Sequence, residues 1–206
     1  KLIAFIEHLD EGIGKVIKSL KESGQYKNTV IIFTSDNGGH LPSLANNGLL
    51  RDGKQSMYEG GLRVPTVMVW PNKIEKGSTT NQVNATVDIY PTLLSIAGLE
   101  NKDSFDGRSF HSTLLGREQP SEERELYFVR REGGLRYGGK AYHALRAGDW
   151  KLLQSSPYQP LELYNLKNDP YEKNNLIAVY PEKAEELNKK LRRHIQEGGK
   201  TPWQRK

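Results

Sequence analysis

The sequence predicts an α/β half-domain followed by a small antiparallel sheet that closes on a C-terminal helix. Three patterns carry that expectation. An apolar, β-branched run ends in Ser35-Asp36-Asn37-Gly38-Gly39, four short strand candidates cluster after residue 125, and a helical period runs from Ala184 to Ile195.

Element by element, Leu2, Ile6, Leu9, Ile13, Val16 or Ile17, and Leu20 recur at steps of three or four. The chain is therefore expected to open inside an amphipathic helix already under way, with an upstream segment before it, and Ser23-Gly24 reads as the helix stop. Thr29-Val30-Ile31-Ile32-Phe33-Thr34 reads as a strand buried on both faces, the pattern of a parallel sheet. Its C-terminal edge presents Asp36 and Asn37, where open α/β sheets place ligands. From His40 to Gly61 the chain is rich in Gly and Asn without periodicity, and a loop of that length in a compact domain is functional or disordered. A second strand follows over Thr66-Val67-Met68-Val69-Trp70. Asp88 then caps a helix from Ile89 to Ala97, with Pro91 tolerated in its first turn and Gly98 at its end.

The polar stretch from Asn101 to Glu125 contains Pro120-Ser121-Glu122-Glu123, which sets the expected boundary between domains 1–120 and 121–206. In the second domain, Leu126 to Arg130, Ala141 to Arg146, Trp150 to Gln154 and Leu161 to Leu166 are strand candidates, with Ala147-Gly148-Asp149 as a tight hairpin. A helix after Pro181 that ends at Gly198-Gly199 should pack Ala184, Leu187, Leu191 and Ile195 on that sheet.

Composition bounds the chemistry. With no cysteine among 206 residues, a disulfide framework, a thiolate metal site and a cysteine nucleophile are excluded within them. No apolar run approaches the ~20 residues that a membrane helix needs, and the first residues lack a signal peptide's pattern. The first hundred residues balance ten Lys and Arg against ten Asp and Glu, so the whole excess of +5 falls in the second half. That bias suits an anionic partner or a solvated basic face.

Asp36-Asn37 places a carboxylate and an amide oxygen side by side, the hard donors that calcium or magnesium takes; an Asx-turn with Gly38 is the bland reading of the same residues. In Leu49 to Pro65, glycines let backbone approach a ligand while Arg51, Lys54 and Arg63 offer cations to an oxyanion. The bland reading there is a surface loop with a Glu59–Arg63 ion pair.

The order of a strand, Ser-Asp-Asn-Gly-Gly, Gly53-Lys54 and Tyr58-Glu59-Gly60-Gly61-Leu62-Arg63-Val64-Pro65 resembles the type I sulfatase family. The likeness continues through Val87 to Leu94, Asp106-Gly107-Arg108-Ser109-Phe110, Leu145 to Leu153 and Leu163 to Pro170, and so covers essentially the whole chain. It implies the C-terminal half of an alkaline-phosphatase-like α/β domain, followed by a small antiparallel sheet with a C-terminal helix. It also implies hydrolysis of a sulfate ester by a formylglycine nucleophile, made from Cys or Ser in a Cys/Ser-x-Pro-x-Arg motif, with calcium balancing the sulfate's charge.

By resemblance, Asp36 and Asn37 match calcium ligands and Lys54 matches the lysine that contacts sulfate, as both a catalytic and a substrate-binding group. His40, His143 and Arg146 are further candidates for substrate contact, and Arg130, Arg131 and Arg136 for holding neighbouring anionic groups. The nucleophile motif, the early calcium carboxylates and the family's catalytic histidine are not found in these residues, so they are expected upstream, in an N-terminal half of the same enzyme. The chain alone is expected to be inactive. The expected substrate is a sulfated saccharide, with no nucleic-acid partner and a periplasmic, secreted or lysosomal setting. A metal-dependent phosphoesterase of the same superfamily and a non-catalytic module for anionic polymers remain the alternatives.

Overall fold

The computed structural model describes residues 1–100, 105–117, 124–131, 141–198 and 200. The chain divides into two compact units, Lys1–Asp36 with Pro65–Glu122, and Asn37–Val64 with Glu123–Lys206. The expected boundary near residue 120 lies outside the described residues, and the segment 37–64 folds with the C-terminal sheet rather than with the strands that flank it in sequence.

In the first unit, helix α1 spans Leu2–Glu22 and ends at Ser23, followed by Gly24 with φ of 75°. The left-handed backbone at Gly24 is one that a side chain would resist. Strand β1 (Ile31–Thr34) pairs antiparallel with β2 (Thr66–Val69) in the register Ile31↔Val69 to Thr34↔Thr66. The expected parallel, doubly covered strand is therefore corrected: Phe33 is 45% exposed and Val67 57%. An apolar run of four residues reports a strand, but not which strand pairs with it or what covers its faces.

Helix α3 (Ile89–Ile96) begins after Asp88 and accommodates Pro91 in its first turn, as expected. The Asp88 carboxylate does not cap it. Its oxygens accept the backbone N–H of Ala85 and of Arg108, each at 2.7 Å, while Thr92 donates to the Asp88 carbonyl and accepts from the N–H of Phe110. A Cβ at Gly107 would lie 2.0 Å from the Val87 carbonyl oxygen, so only glycine lets that loop close on Asp88. One further turn of helix, α4, spans His111–Leu114.

The second unit is built on a four-stranded antiparallel meander of β3 (Glu125–Arg131), β4 (Ala141–Ala147), β5 (Trp150–Gln154) and β6 (Glu162–Asn165). Gly148 and Asp149 form the two-residue turn between β4 and β5, with Gly148 at φ of 57°. Because strand side chains alternate between faces, Leu145, Leu152 and Leu163 stack in register on one face. There they meet Ala184, Leu187 and Leu191 of α5 (Pro181–Gly198), and all three leucines have no exposed surface. Full burial of each contributes about 2–3 kcal/mol. On the opposite face, Ala144, Leu153 and Tyr164 are covered by Met57 and Tyr58, at the approach to a one-turn helix α2 (Glu59–Leu62). The sheet is thus covered on both sides, by a helix and by the segment that holds Lys54. Among the described residues no helix is long and apolar enough to cross a membrane.

Candidate functional site

Asp36, exposed, ends the first stretch of the first unit, and Asn37, half-buried, opens the second unit. The Asn37 amide donates to the Gly38 carbonyl at 2.8 Å. A carboxylate and an amide oxygen on consecutive residues suit a hard divalent cation, but calcium takes six to eight oxygens. Among the described residues no group of three or more acidic, histidine or cysteine side chains is arranged to hold a metal.

From Asn37 to Arg63 the backbone is tied to itself. The N–H of Gly38 donates to Gly61 at 2.9 Å, that of Lys54 to Gly39 at 3.0 Å, and that of Gly60 to Arg51 at 2.8 Å. Asn47 closes the knot, accepting from the Gly39 N–H at 2.8 Å and donating to the Asp52 carbonyl at 2.9 Å. Asp52 and Gln55, on either side of Gly53-Lys54, have φ of 62° and 79°. Left-handed backbone at residues other than glycine costs about 1–3 kcal/mol and clusters where the surrounding structure over-determines it. Lys54 is exposed, so its turn is fixed in backbone while its ammonium faces solvent.

Lys54 lines an open pocket of about 230 Å³ with Asp52, Tyr58, Tyr142 and Ser155. Arg130 braces the rim: it donates to the Gln55 carbonyl at 2.7 Å, and its guanidinium lies 5.0 Å from the Tyr142 ring centre. Arg51 does not present its charge to an oxyanion. It donates to the Tyr164 hydroxyl at 2.8 Å and the Glu172 carbonyl at 2.9 Å, and stacks 3.8 Å over the Tyr58 ring. The hydroxyls of Tyr58 and Tyr164 both donate to Glu162. Burial and that hydrogen bond push the Tyr58 hydroxyl up to about 12, and the same causes raise Tyr164. Both phenols therefore stay protonated as donors at neutral pH.

Glu59 is not paired with Arg63. Its side chain is buried and accepts a hydrogen bond from Lys151 Nζ at 2.8 Å, while its backbone N–H donates to Glu172 Oε2 at 2.6 Å. Lys151, 1% exposed, also lies 2.8 Å from Glu172 Oε1, and Arg146 approaches Glu59 at 4.0 Å. Lys151 and Glu172 were not legible as partners. The available signal is Trp150-Lys151-Leu152-Leu153, where a strand covered on both faces turns a lysine inward, and an inward lysine requires a carboxylate.

The remaining candidates separate. Arg146 faces the Lys54 segment, where its Nε also donates to the Gly148 carbonyl at 3.1 Å. His143 lies on the other face, 7% exposed, bonded to the Tyr127 hydroxyl at 2.9 Å and packed with α5 through the Tyr127–His194 stack. The alternation of β4 thus keeps it away from Lys54. His40 is exposed and bonds Ser43 at 2.7 Å. Arg131 is exposed at the end of β3, and Arg136 lies outside the described residues.

Comparison with known proteins identifies the family. The sulfatase family model matches residues 2–99, and that of the N-sulphoglucosamine sulphohydrolase C-terminal region matches residues 51–200. A sulfatase of Formosa agariphila is 36% identical over 213 residues, covering 92% of this chain and 38% of that protein. An N-acetylglucosamine-6-O-sulfatase of Bacteroides thetaiotaomicron is 31% identical over 190 residues, covering 90% and 33% respectively. A solved structure described as being in complex with its substrate D-glucosamine-2-N,6-O-disulfate superposes with a TM-score of 0.75 at 28% identity, over 93% of this chain and 39% of that one. The chain spans between a third and two fifths of the length of these relatives. By the match over residues 51–200 and the likeness of 92% of its length to the Formosa agariphila sulfatase, the chain belongs to the sulfatase family, as a C-terminal portion of it.

Proposed function

We propose that this chain supplies Lys54, Asp36 and Asn37 to the active site of a sulfuric ester hydrolase whose nucleophile lies in residues outside it. The observation that carries the reading is Lys54 itself. Its backbone is locked by Gly39 and flanked by two left-handed residues, its side chain is exposed at a pocket, and the neighbouring Arg51 and Arg146 are engaged in holding the segment to the sheet. A compact ammonium held in that way can take one oxygen of a sulfate group as charge grows toward the leaving oxygen. Asp36 and Asn37 would hold calcium, completed by ligands from elsewhere in the enzyme; the ion would balance the charge of the sulfate group. In this reading the chain alone is inactive, since its 206 residues contain no Cys/Ser-x-Pro-x-Arg motif.

The substrate in this reading is a sulfated sugar, as the names of the related sulfatases suggest. The pocket beside Lys54 would take the ring, with Tyr142 offering a flat apolar face and Asp52 and Ser155 offering polar contacts to hydroxyls. A periplasmic, secreted or lysosomal setting belongs to the same proposal.

In the full-length enzyme, Lys54→Ala should lower kcat by about 10²- to 10³-fold, the cost of one oxyanion donor, and leave calcium affinity by titration calorimetry near that of the parent. Asp36→Ala and Asn37→Ala should weaken calcium binding and activity together. Near-normal turnover of the Lys54 variant would reject the site. Tyr142→Ala should raise KM for a sulfated oligosaccharide more than for a small aryl sulfate, and equal effects would remove the pocket from sugar recognition.

A further inference from the structure

A buried ion cluster of Glu59, Lys151 and Glu172 lies on the sheet beneath the segment that holds Lys54. We propose that Glu59, gripped by Lys151 and Glu172, is a positioning residue for Lys54; this rests on Lys54 being the sulfate-holding group.

Both ends of Glu59 are fixed: the carboxylate by Lys151 Nζ at 2.8 Å, the backbone N–H by Glu172 Oε2 at 2.6 Å. All three side chains are nearly or fully buried, with exposures of 6%, 1% and 0% for Glu59, Lys151 and Glu172. A buried ion cluster is poor value as pure stabilisation, because apolar residues of similar volume do as well or better by about 1–4 kcal/mol. What charged, hydrogen-bonded groups add is direction, since they define a geometry that apolar packing leaves loose.

That direction passes to Lys54 without slack. Gly60, next to Glu59, donates to Arg51, and Gly61 accepts from Gly38; Gly39 accepts from Lys54. The layers are in direct contact. A Cβ at Gly38 would sit 1.7 Å from the Gly60 carbonyl oxygen, one at Gly60 2.2 Å from that of Asp52, and one at Gly61 2.3 Å from that of Ser56. Backbones so close cannot slide independently, so a shift of Glu59 moves the Gly38-Gly39 strip and the Asp52–Gln55 turn with it. Misplacement of a catalytic group by ~1 Å costs about 10²-fold.

The test is a double-mutant cycle in the full-length enzyme, with an aryl sulfate as substrate and inorganic sulfate as competitive probe. Glu59→Gln, which keeps shape and removes charge, should lower kcat about 10- to 100-fold, change KM less, and weaken inhibition by inorganic sulfate. In a Lys54→Ala background the same change should cost less than about twofold, because groups that act through one another are not additive. If Glu59→Gln does not fold, Glu172→Gln carries the cycle, since it leaves the Glu59–Lys151 pair in place; its loss of kcat should likewise vanish once Lys54 is alanine. A merely structural Glu59 would give equal losses with and without Lys54, and that additivity would overturn the inference, as would unchanged kcat in a folded Glu59→Gln enzyme. An inert Lys54→Ala variant would instead overturn the reading of Lys54 itself.

Discussion

The two units spend similar apolar residues to different effect. In the second, Leu145, Leu152, Leu163, Leu187 and Leu191 have no exposed surface; in the first, Ile3, Phe5, Ile6, Leu9 and Val16 of α1 are 55–74% exposed. The buried residues of the first unit centre on the Asp88–Thr92–Phe110 knot, held by hydrogen bonds more than by apolar packing. Amphipathic spacing thus names the face of an element that can be buried, while burial itself depends on a partner surface that the spacing does not contain. The second unit has both layers of its core within these residues.

The comparison breaks most easily at the core. In the 206-residue chain, Leu152→Ala should cost about 3–5 kcal/mol, as expected for emptying a fully packed position, and Val67→Ala less than about 1 kcal/mol, because Val67 is already more than half exposed. Urea unfolding monitored separately for the two units would check this, and equal losses would show that the first unit has a core of its own. A middle-sized effect is expected at Asp88. Asp88→Ala strands two backbone N–H groups, those of Ala85 and Arg108, each worth about 1–3 kcal/mol if it stays buried. Amide exchange at both positions should accelerate while that of β5 is unchanged.

The same contrast explains what the sequence could say. The hairpin at Gly148-Asp149, the strand Trp150–Gln154 and the helix Pro181–Gly198 were legible because turn chemistry and hydrophobic period are local. The pairing of β1 with β2 was not, since Ile31-Ile32-Phe33 reads the same in a parallel or an antiparallel sheet. Lys54, Asp36 and Asn37 stood out through their motifs. Lys151 and Glu172 did not, because their importance comes from a contact between residues 59, 151 and 172 that no local pattern encodes. His143 and Arg146, three apart on one strand, looked like neighbours and lie on opposite faces because alternation sends odd steps apart.

The smallest effect sharpens the account of the α5 face. Burial holds the His143 imidazole below its ordinary value, helped by the charges of Arg131 and Arg192. Between the folded value and about 6.5, the unfolded chain binds more protons than the folded one, so stability falls as pH drops through that window. Glu125 acts lower. Burial alone would raise its carboxyl, but hydrogen bonds from His194 and Arg193 outweigh that and hold it below the usual carboxylate range. Its contribution is present above the unfolded value and is lost as pH falls through the folded one, below about 4.5. Two losses, separated in pH, should therefore appear in the unfolding midpoint of the second unit. His143→Gln should flatten the dependence just below about pH 6.5 and leave the acid step in place; Glu125→Gln should do the reverse. If His143→Gln left the upper step unchanged, the stacked Tyr127–His143 pair would not be its source, and the buried position of His143 between sheet and helix would carry no pH dependence of its own.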